Sequence, residues 1–237
     1  MSGLRAIEPL GDGAVLLHFG DRIDADVNAQ VHAAARHLAA LALPGIDELV
    51  PAYASLAVVF DPAQWQADGA TPAQHCIAAL TRAFATPPAM ALESAALVEI
   101  PVCYGGEYGP DLADAAQRSG LRIEEFVARH AAADYRVAML GFAAGFPYLL
   151  GLDERLQQPR RASPRTRVPA GSVAIGGLQT GIYPRELPGG WNLIGRTPLA
   201  LFDAQATPPN RVAAGQRVRL RAIDANEFAA LQASPPA

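Results

Sequence analysis

Residues 136–202 read RVAMLGFAAGFPYLLGLDERLQQPRRASPRTRVPAGSVAIGGLQTGIYPRELPGGWNLIGRTPLALF, and this stretch decides the fold. It holds ten of the chain's 21 glycines, six aromatic residues and an arginine cluster (Arg160, Arg161, Arg165, Arg167) with no acid inside it. Glycine this dense beside aromatic rings asks the backbone for positive φ angles or for close approach to something, which a plain packing core rarely needs. Short apolar runs (Val137 to Leu140, Ser172 to Ile175, Trp191 to Ile194, Leu199 to Phe202, and further on Val218 to Ala222) are separated by glycine and proline. They predict many short strands, a pattern that suits a closed or nearly closed barrel.

Upstream the pattern changes. Leu4 to Glu8 and Ala14 to Phe19 read as a hairpin across Gly11-Asp12-Gly13, with Val15, Leu17 and Phe19 alternating onto one face. From Asp24 to Leu43 the spacing of Val27, Val31, Ala34, Leu38 and Leu41 is helical, with Asp24 as N-cap and Pro44-Gly45 as the stop. Ile46 to Val50 and Ser55 to Phe60 form a second strand pair. Thr71-Pro72-Ala73-Gln74 then has the form of a capping box for a second helix whose buried face carries Ile77, Leu80 and Phe84. Two helices over one face of an antiparallel sheet make a small α+β domain. Thr86 to Ala96, with Pro87-Pro88, reads as the linker, so the domains are expected at 1–90 and 91–237. The second opens with a strand, Leu97 to Cys103, followed by Asp111 as cap of a short helix through Arg118 and by a helix from Ile123 to Ala131.

Composition narrows the function classes. Half of the chain is apolar (51%) and the formal charge is −4, so a buried core is available and no long-range pull on nucleic acid exists. Two distant cysteines, Cys76 and Cys103, without ligand spacing, argue against a disulfide framework or a zinc site, and no metal site is expected. No run approaches the roughly 20 apolar residues that cross a bilayer. A cytoplasmic protein without nucleic-acid or membrane partners is the expectation.

Four guanidinium groups within eight residues offer forks of donors suited to a carboxylate or phosphate. Gly176-Gly177-Leu178-Gln179-Thr180-Gly181-Ile182-Tyr183 brings amide, hydroxyl and phenol groups onto a flexible backbone, which either builds a pocket for a small polar ligand or simply satisfies a strand turn. Trp191, Arg196 and Thr197 are expected to close the same pocket, Trp191 as a flat wall. His130, at the end of its helix where the dipole would favour a protonated imidazole, is the general acid or base candidate, against a bland reading as a helix-end residue. The chain lacks GxxxxGK[ST], GxSxG, HExxH and a GxGxxG after a strand, so ATP has no recognisable phosphate loop here.

GFAAGFPYL (141–149), Pro159-Arg160 with Pro164-Arg165 after it, GSVAIGGLQTGIYP (171–184) and PGGWNLIGRTP (188–198) follow in a fixed order, and in this the chain resembles the family of the 5-oxoprolinase B subunit, also called the KipI or allophanate hydrolase subunit 1 family. The resemblance implies a cyclophilin-like β-barrel for the second domain. It also implies one component of an ATP-dependent 5-oxoprolinase, opening 5-oxoproline to glutamate with the A and C subunits, with ATP and magnesium shared with those partners. His130 and Arg165 would then be catalytic, and Arg160, Gly176, Gln179, Thr180, Tyr183, Trp191, Arg196 and Thr197 would bind substrate or phosphate. Two other readings are an inhibitor of a sensor histidine kinase and the carboxyltransferase part of a urea carboxylase or allophanate hydrolase system.

Overall fold

The computed structural model describes residues 3–67, 69–86, 88 and 97–233. Two compact units, Met1–Ser94 and Ala95–Ala237, divide the chain. Apart from Thr86 and Pro88, the expected linker lies outside the described residues.

The first unit runs β1 (Ala6–Pro9), β2 (Ala14–His18), α1 (Ala25–Leu41), β3 (Ile46–Pro51), β4 (Ser55–Phe60) and α2 (Pro72–Ala83). Its strands form one antiparallel sheet in the order β1-β2-β4-β3. Asp24 caps α1 by accepting from the amides of Asp26 (2.9 Å) and Val27 (3.1 Å). The helix stops at Ala42, whose φ of 45° is left-handed, and Leu41 in its last turn lies exposed. The capping box of α2 forms in both directions, Thr71 Oγ1 accepting from the Gln74 amide and Gln74 Oε1 from the Thr71 amide. Both helices bury their apolar stripes on the Val15, Leu17, Leu56 and Val58 face.

The second unit runs β5 (Val98–Tyr104), α3 (Leu112–Arg118), α4 (Ile123–Ala132), β6 (Tyr135–Leu140), β7 (Pro147–Leu150), β8 (Arg165–Val168), β9 (Ser172–Gly176), β10 (Gln179–Ile182), β11 (Leu187–Gly189), β12 (Asn192–Arg196), β13 (Arg217–Ile223) and α5 (Ala225–Ala233). Seven strands close into a barrel in the order β10-β7-β6-β13-β5-β12-β9, and β8 pairs with β11 beside it. The expected α+β architecture with a closed barrel is therefore present. One buried cluster joins the barrel strands to α3 and α4 through Ile100, Val137, Leu149, Ile175, Ala115 and Phe126. Each large apolar side chain buried there contributes about 1.5–3 kcal/mol. A second cluster, of Phe146, Val168, Ala174, Tyr183, Trp191 and Leu193, lies under the candidate site.

One strand expectation fails. Leu199 to Phe202 is not a strand: Thr197 Oγ1 accepts from the Leu199 amide (3.3 Å) in a turn around Pro198, and only an isolated bridge, Phe202 to Asn210, follows. The sequence reading did not include α5, which Asp224 Oδ1 starts by accepting from the Glu227 amide (2.8 Å).

Candidate functional site: an arginine and aromatic pocket on the barrel

Asp111 organises the arginine cluster. It was expected to cap α3, but its side chain makes no cap bond. Its carboxylate turns instead to Arg165, which donates from Nη1 to Oδ2 and from Nη2 to Oδ1 at 2.8 Å each, and to Arg161 Nη1, which donates to Oδ1 at 3.0 Å. The Leu193 amide donates to Oδ2 at 2.7 Å. Burial alone would raise the Asp111 pKa, but the Arg165 hydrogen bonds, the Leu193 amide and the two guanidinium charges outweigh it and hold the carboxyl below its usual range. The acid missing from the cluster in sequence is thus supplied from some fifty residues upstream. Arg165 and Arg161 are therefore paired within the protein, and Arg167 faces Glu186 at 3.7 Å in an exposed pair.

Arg160 is different. Among the described residues it makes no ion pair, and it borders a cavity of about 240 Å³ with Phe142, Phe146, Tyr148, Tyr183 and Trp191. The rings pack edge to face around Phe146, with centroids 5.1 Å from Tyr183 and 5.9 Å from Trp191. Two glycines set the wall. A Cβ on Gly176 would stand 2.5 Å from the Trp191 ring, and one on Gly189 would strike the Tyr183 hydroxyl. Burial raises the pKa of both Tyr148 and Tyr183, while the Arg160 charge pulls the other way. Both phenols are therefore neutral at pH 7 and can donate to an anion. Arg161 lines the cavity too, its guanidinium held by Asp111, and Arg160 with the two phenols in the aromatic cup forms a site for a small anionic or carboxylate-bearing ring.

Phe142 stands at the rim, 62% exposed. Its φ of 66° is left-handed, which costs a residue other than glycine about 1–2 kcal/mol.

Arg160 is fixed by the chain just before it. Gln158 and Gly177 exchange main-chain hydrogen bonds (2.6 and 3.3 Å), and the fully buried Gln158 side chain donates to Ala115 O (3.1 Å) and Ser119 Oγ (2.9 Å). Arg118 donates from Nε to Gln158 Oε1 (2.8 Å) and from Nη2 to Asn192 Oδ1 (2.9 Å), and Asn192 Nδ2 donates to Pro159 O (2.8 Å).

His130 and Thr180 meet inside the barrel wall, away from the residues that line this cavity. Thr180 donates to Ala174 O (3.0 Å), so its oxygen must accept from His130 Nε2 (3.1 Å), and Nδ1 then accepts from the Tyr104 hydroxyl (2.8 Å). The imidazole is thus neutral with its proton on Nε2. Full burial pushes its pKa down to about 3, which overturns the expected dipole-favoured imidazolium.

Of the expected site residues, Arg160, Tyr183 and Trp191 line the cavity and Gly176, the last residue of β9, backs it, with Gln179 opposite Gly176 at the start of β10. Arg165 lies behind it on Asp111, and His130 and Thr180 sit inside the wall. Arg196 and Thr197 are not among its lining residues. The Arg196 guanidinium lies 5.7 Å over the Tyr108 ring, and Thr197 caps the turn described above. Phe142, Phe146 and Tyr148, from the GFAAGFPYL motif, also line the cavity, and sequence reasoning missed Asp111, Gln158 and Asn192 as positioning residues. An aspartate at a helix start offers no signal that its carboxylate points elsewhere.

Among the described residues no cluster of three His, Cys, Asp or Glu side chains could hold a metal ion, and no helix is long and apolar enough to cross a membrane.

Comparison with known proteins bears on this geometry. Residues 5–212 match the carboxyltransferase domain, subdomains C and D. Over 233 residues, covering 94% of each chain, the sequence is 43% identical to the 5-oxoprolinase B subunit of Bacillus subtilis. The crystal structure of TTHA0988 superposes with a TM-score of 0.75 at 36% identity, over 89% of this chain and 40% of that longer one. The urea amidolyase of Kluyveromyces lactis has the same fold (TM-score 0.74, 18% identity), matched by 96% of this chain and 15% of that one. A barrel with its arginine and aromatic cup, the domain match and the identity to the Bacillus protein along nearly the whole length agree: the chain belongs to the carboxyltransferase subdomain C and D family, among the proteins related to the 5-oxoprolinase B subunit.

Proposed function

We propose that this chain is the B subunit of an ATP-dependent 5-oxoprolinase, which opens 5-oxoproline to glutamate together with the A and C subunits in the cytoplasm. The observation that carries this reading is the 43% identity to such a B subunit over 94% of both chains. The cup supports it on chemical grounds. A five-membered lactam with one carboxylate is small enough for about 240 Å³, and Arg160 with the phenols of Tyr148 and Tyr183 supplies charge-assisted donors to that carboxylate. Trp191 packs against the flat ring, and Arg165, held by Asp111, keeps the Arg160 loop and β8 in place. His130, buried and neutral, orients Thr180 and β10 in this reading and does not exchange protons with substrate.

At about 240 Å³ the cavity is smaller than the 300–1,000 Å³ typical of drug-sized ligands, which supports a small substrate as its occupant. ATP with magnesium, shared with the partner subunits, would supply a phosphoryl group to the lactam carbonyl oxygen, and attack of water would then break the ring C–N bond and release phosphate. This chain's part is to bind the carboxylate and orient the ring.

The test is glutamate release from 5-oxoproline and ATP by the A and C subunits with and without this chain. Turnover should require the chain, and Arg160→Ala should raise KM by about tenfold or more. No turnover, in a mixture that a known B subunit makes active, would overturn the reading and turn attention to kinase inhibition or carboxyl transfer.

A further inference from the structure

We propose that Phe142 is the specificity-determining gate of this cup, a ring held over the mouth to cover a small, flat, carboxylate-bearing ring once Arg160 has engaged it. The inference rests on the cup being the substrate site. Three observations converge on the residue. Its backbone is left-handed (φ 66°) at a position where glycine would fit without strain, and Gly141 stands next to it. Such outliers persist where function demands them. Its ring is 62% exposed, so burial does not explain why a phenylalanine is there. The ring is nevertheless placed: it meets Phe146 at 5.4 Å and Tyr183 at 6.4 Å, both nearly perpendicular, which leaves its far side open.

Phe142 also borders a second cavity of about 390 Å³, formed by residues 140–145 with Phe202 and Asn210. Phe142 is thus a lining residue of both spaces, and in this proposal its ring limits how large a ligand the cup accepts. With the ring present the cup takes a five- or six-membered ring, whose apolar edge replaces water against Phe142, Phe146 and Trp191. Without it the ligand loses one wall of the cup.

Phe142→Gly removes the ring and leaves the backbone unstrained; Phe142→Tyr keeps the ring. In the reconstituted complex of this chain with the A and C subunits, Phe142→Gly should raise KM for 5-oxoproline about tenfold, with kcat within about threefold. Its melting temperature should equal or exceed that of the parent, and Phe142→Tyr should restore KM. A KM within twofold, or a lowered melting temperature as for a packing residue, would overturn the proposal. Calorimetric titration with 5-oxoproline and with benzoate, a flat carboxylate without a lactam, separates the gate from the reaction. If the complex turns over no 5-oxoproline but either acid binds the parent chain and is weakened in Phe142→Gly, the oxoprolinase reading fails and the gate stands. If neither acid binds the parent chain, or both variants bind equally, the gate fails.

Discussion

The carboxylate of Asp111 and the guanidinium of Arg165 meet in a two-point pair, with both contacts at 2.8 Å, and so tie the start of α3 to the start of β8. Removing the acid leaves two guanidinium groups and the Leu193 amide without their partner in a largely buried setting. Asp111→Ala should cost about 2–4 kcal/mol of unfolding free energy, measured by urea denaturation. The pair also predicts a pH effect. Because the folded carboxyl titrates below its unfolded value, its contribution is complete above about pH 5 and is lost as pH falls through the folded pKa. The acid-side decline in stability should be shallower in Asp111→Asn.

Arg160 and Arg165 should separate stability from activity. Arg160→Ala should change stability by less than about 0.5 kcal/mol, since the side chain is exposed and makes no ion pair among the described residues. Arg165→Ala should cost about 2 kcal/mol or more, because Asp111 would keep its burial and lose its strongest donor. Paired denaturation and KM measurements check this: Arg160→Ala should lose substrate affinity with its fold intact, and equal losses of stability in both variants would contradict the assignment.

His130 predicts a second pH dependence, of opposite chemistry and the same direction. Its folded pKa of about 3 lies below the unfolded value near 6.5, so between them the unfolded chain binds more protons. Stability should therefore fall as pH drops below about 6.5, by up to about 1.4 kcal/mol per unit from this group. In NMR spectra at pH 5 the His130 ring should remain neutral with its proton on Nε2. Titration near pH 6.5 would contradict its burial.

Gly176 predicts a steric effect. In Gly176→Ala the methyl group would press on the Trp191 ring at 2.5 Å, and the ring must shift toward the cavity. Overpacking of this kind costs about 1–3 kcal/mol. Ligand affinity should fall with it, and tryptophan emission should change, which urea denaturation with a fluorescence readout would show.

Much of the first unit was legible because its signals are local: the alternation of Val15, Leu17 and Phe19, the Asp24 cap and the Thr71–Gln74 box each act within a few residues. The barrel strands were legible where an apolar run lies between glycines, as in β9. Leu199 to Phe202 has the same composition but follows Pro198, and the Thr197 hydroxyl wins its amide for a turn. The cup was half legible. Arg160, Tyr183 and Trp191 sit in motifs dense in glycine, whereas the roles of Asp111 and Gln158 depend on partners forty to eighty residues away, a distance that no local pattern encodes. Similarly, nothing around His130 in sequence shows that it faces the inside of a barrel wall.

The pairing of β5 with β13 has a consequence for how the molecule is made. These strands run parallel, Val98 beside Val218 through Cys103 beside Ile223, and together they close the ring. While a ribosome is still emitting residues before 217, β5 has no partner on one side and β6 waits for the same strand. The nascent second unit therefore carries two open strand edges until late in synthesis, a period of exposure to self-association in which chaperone capture matters most. The first unit has no such wait, since its four strands pair within residues 6–60 and it can fold while the barrel is still incomplete.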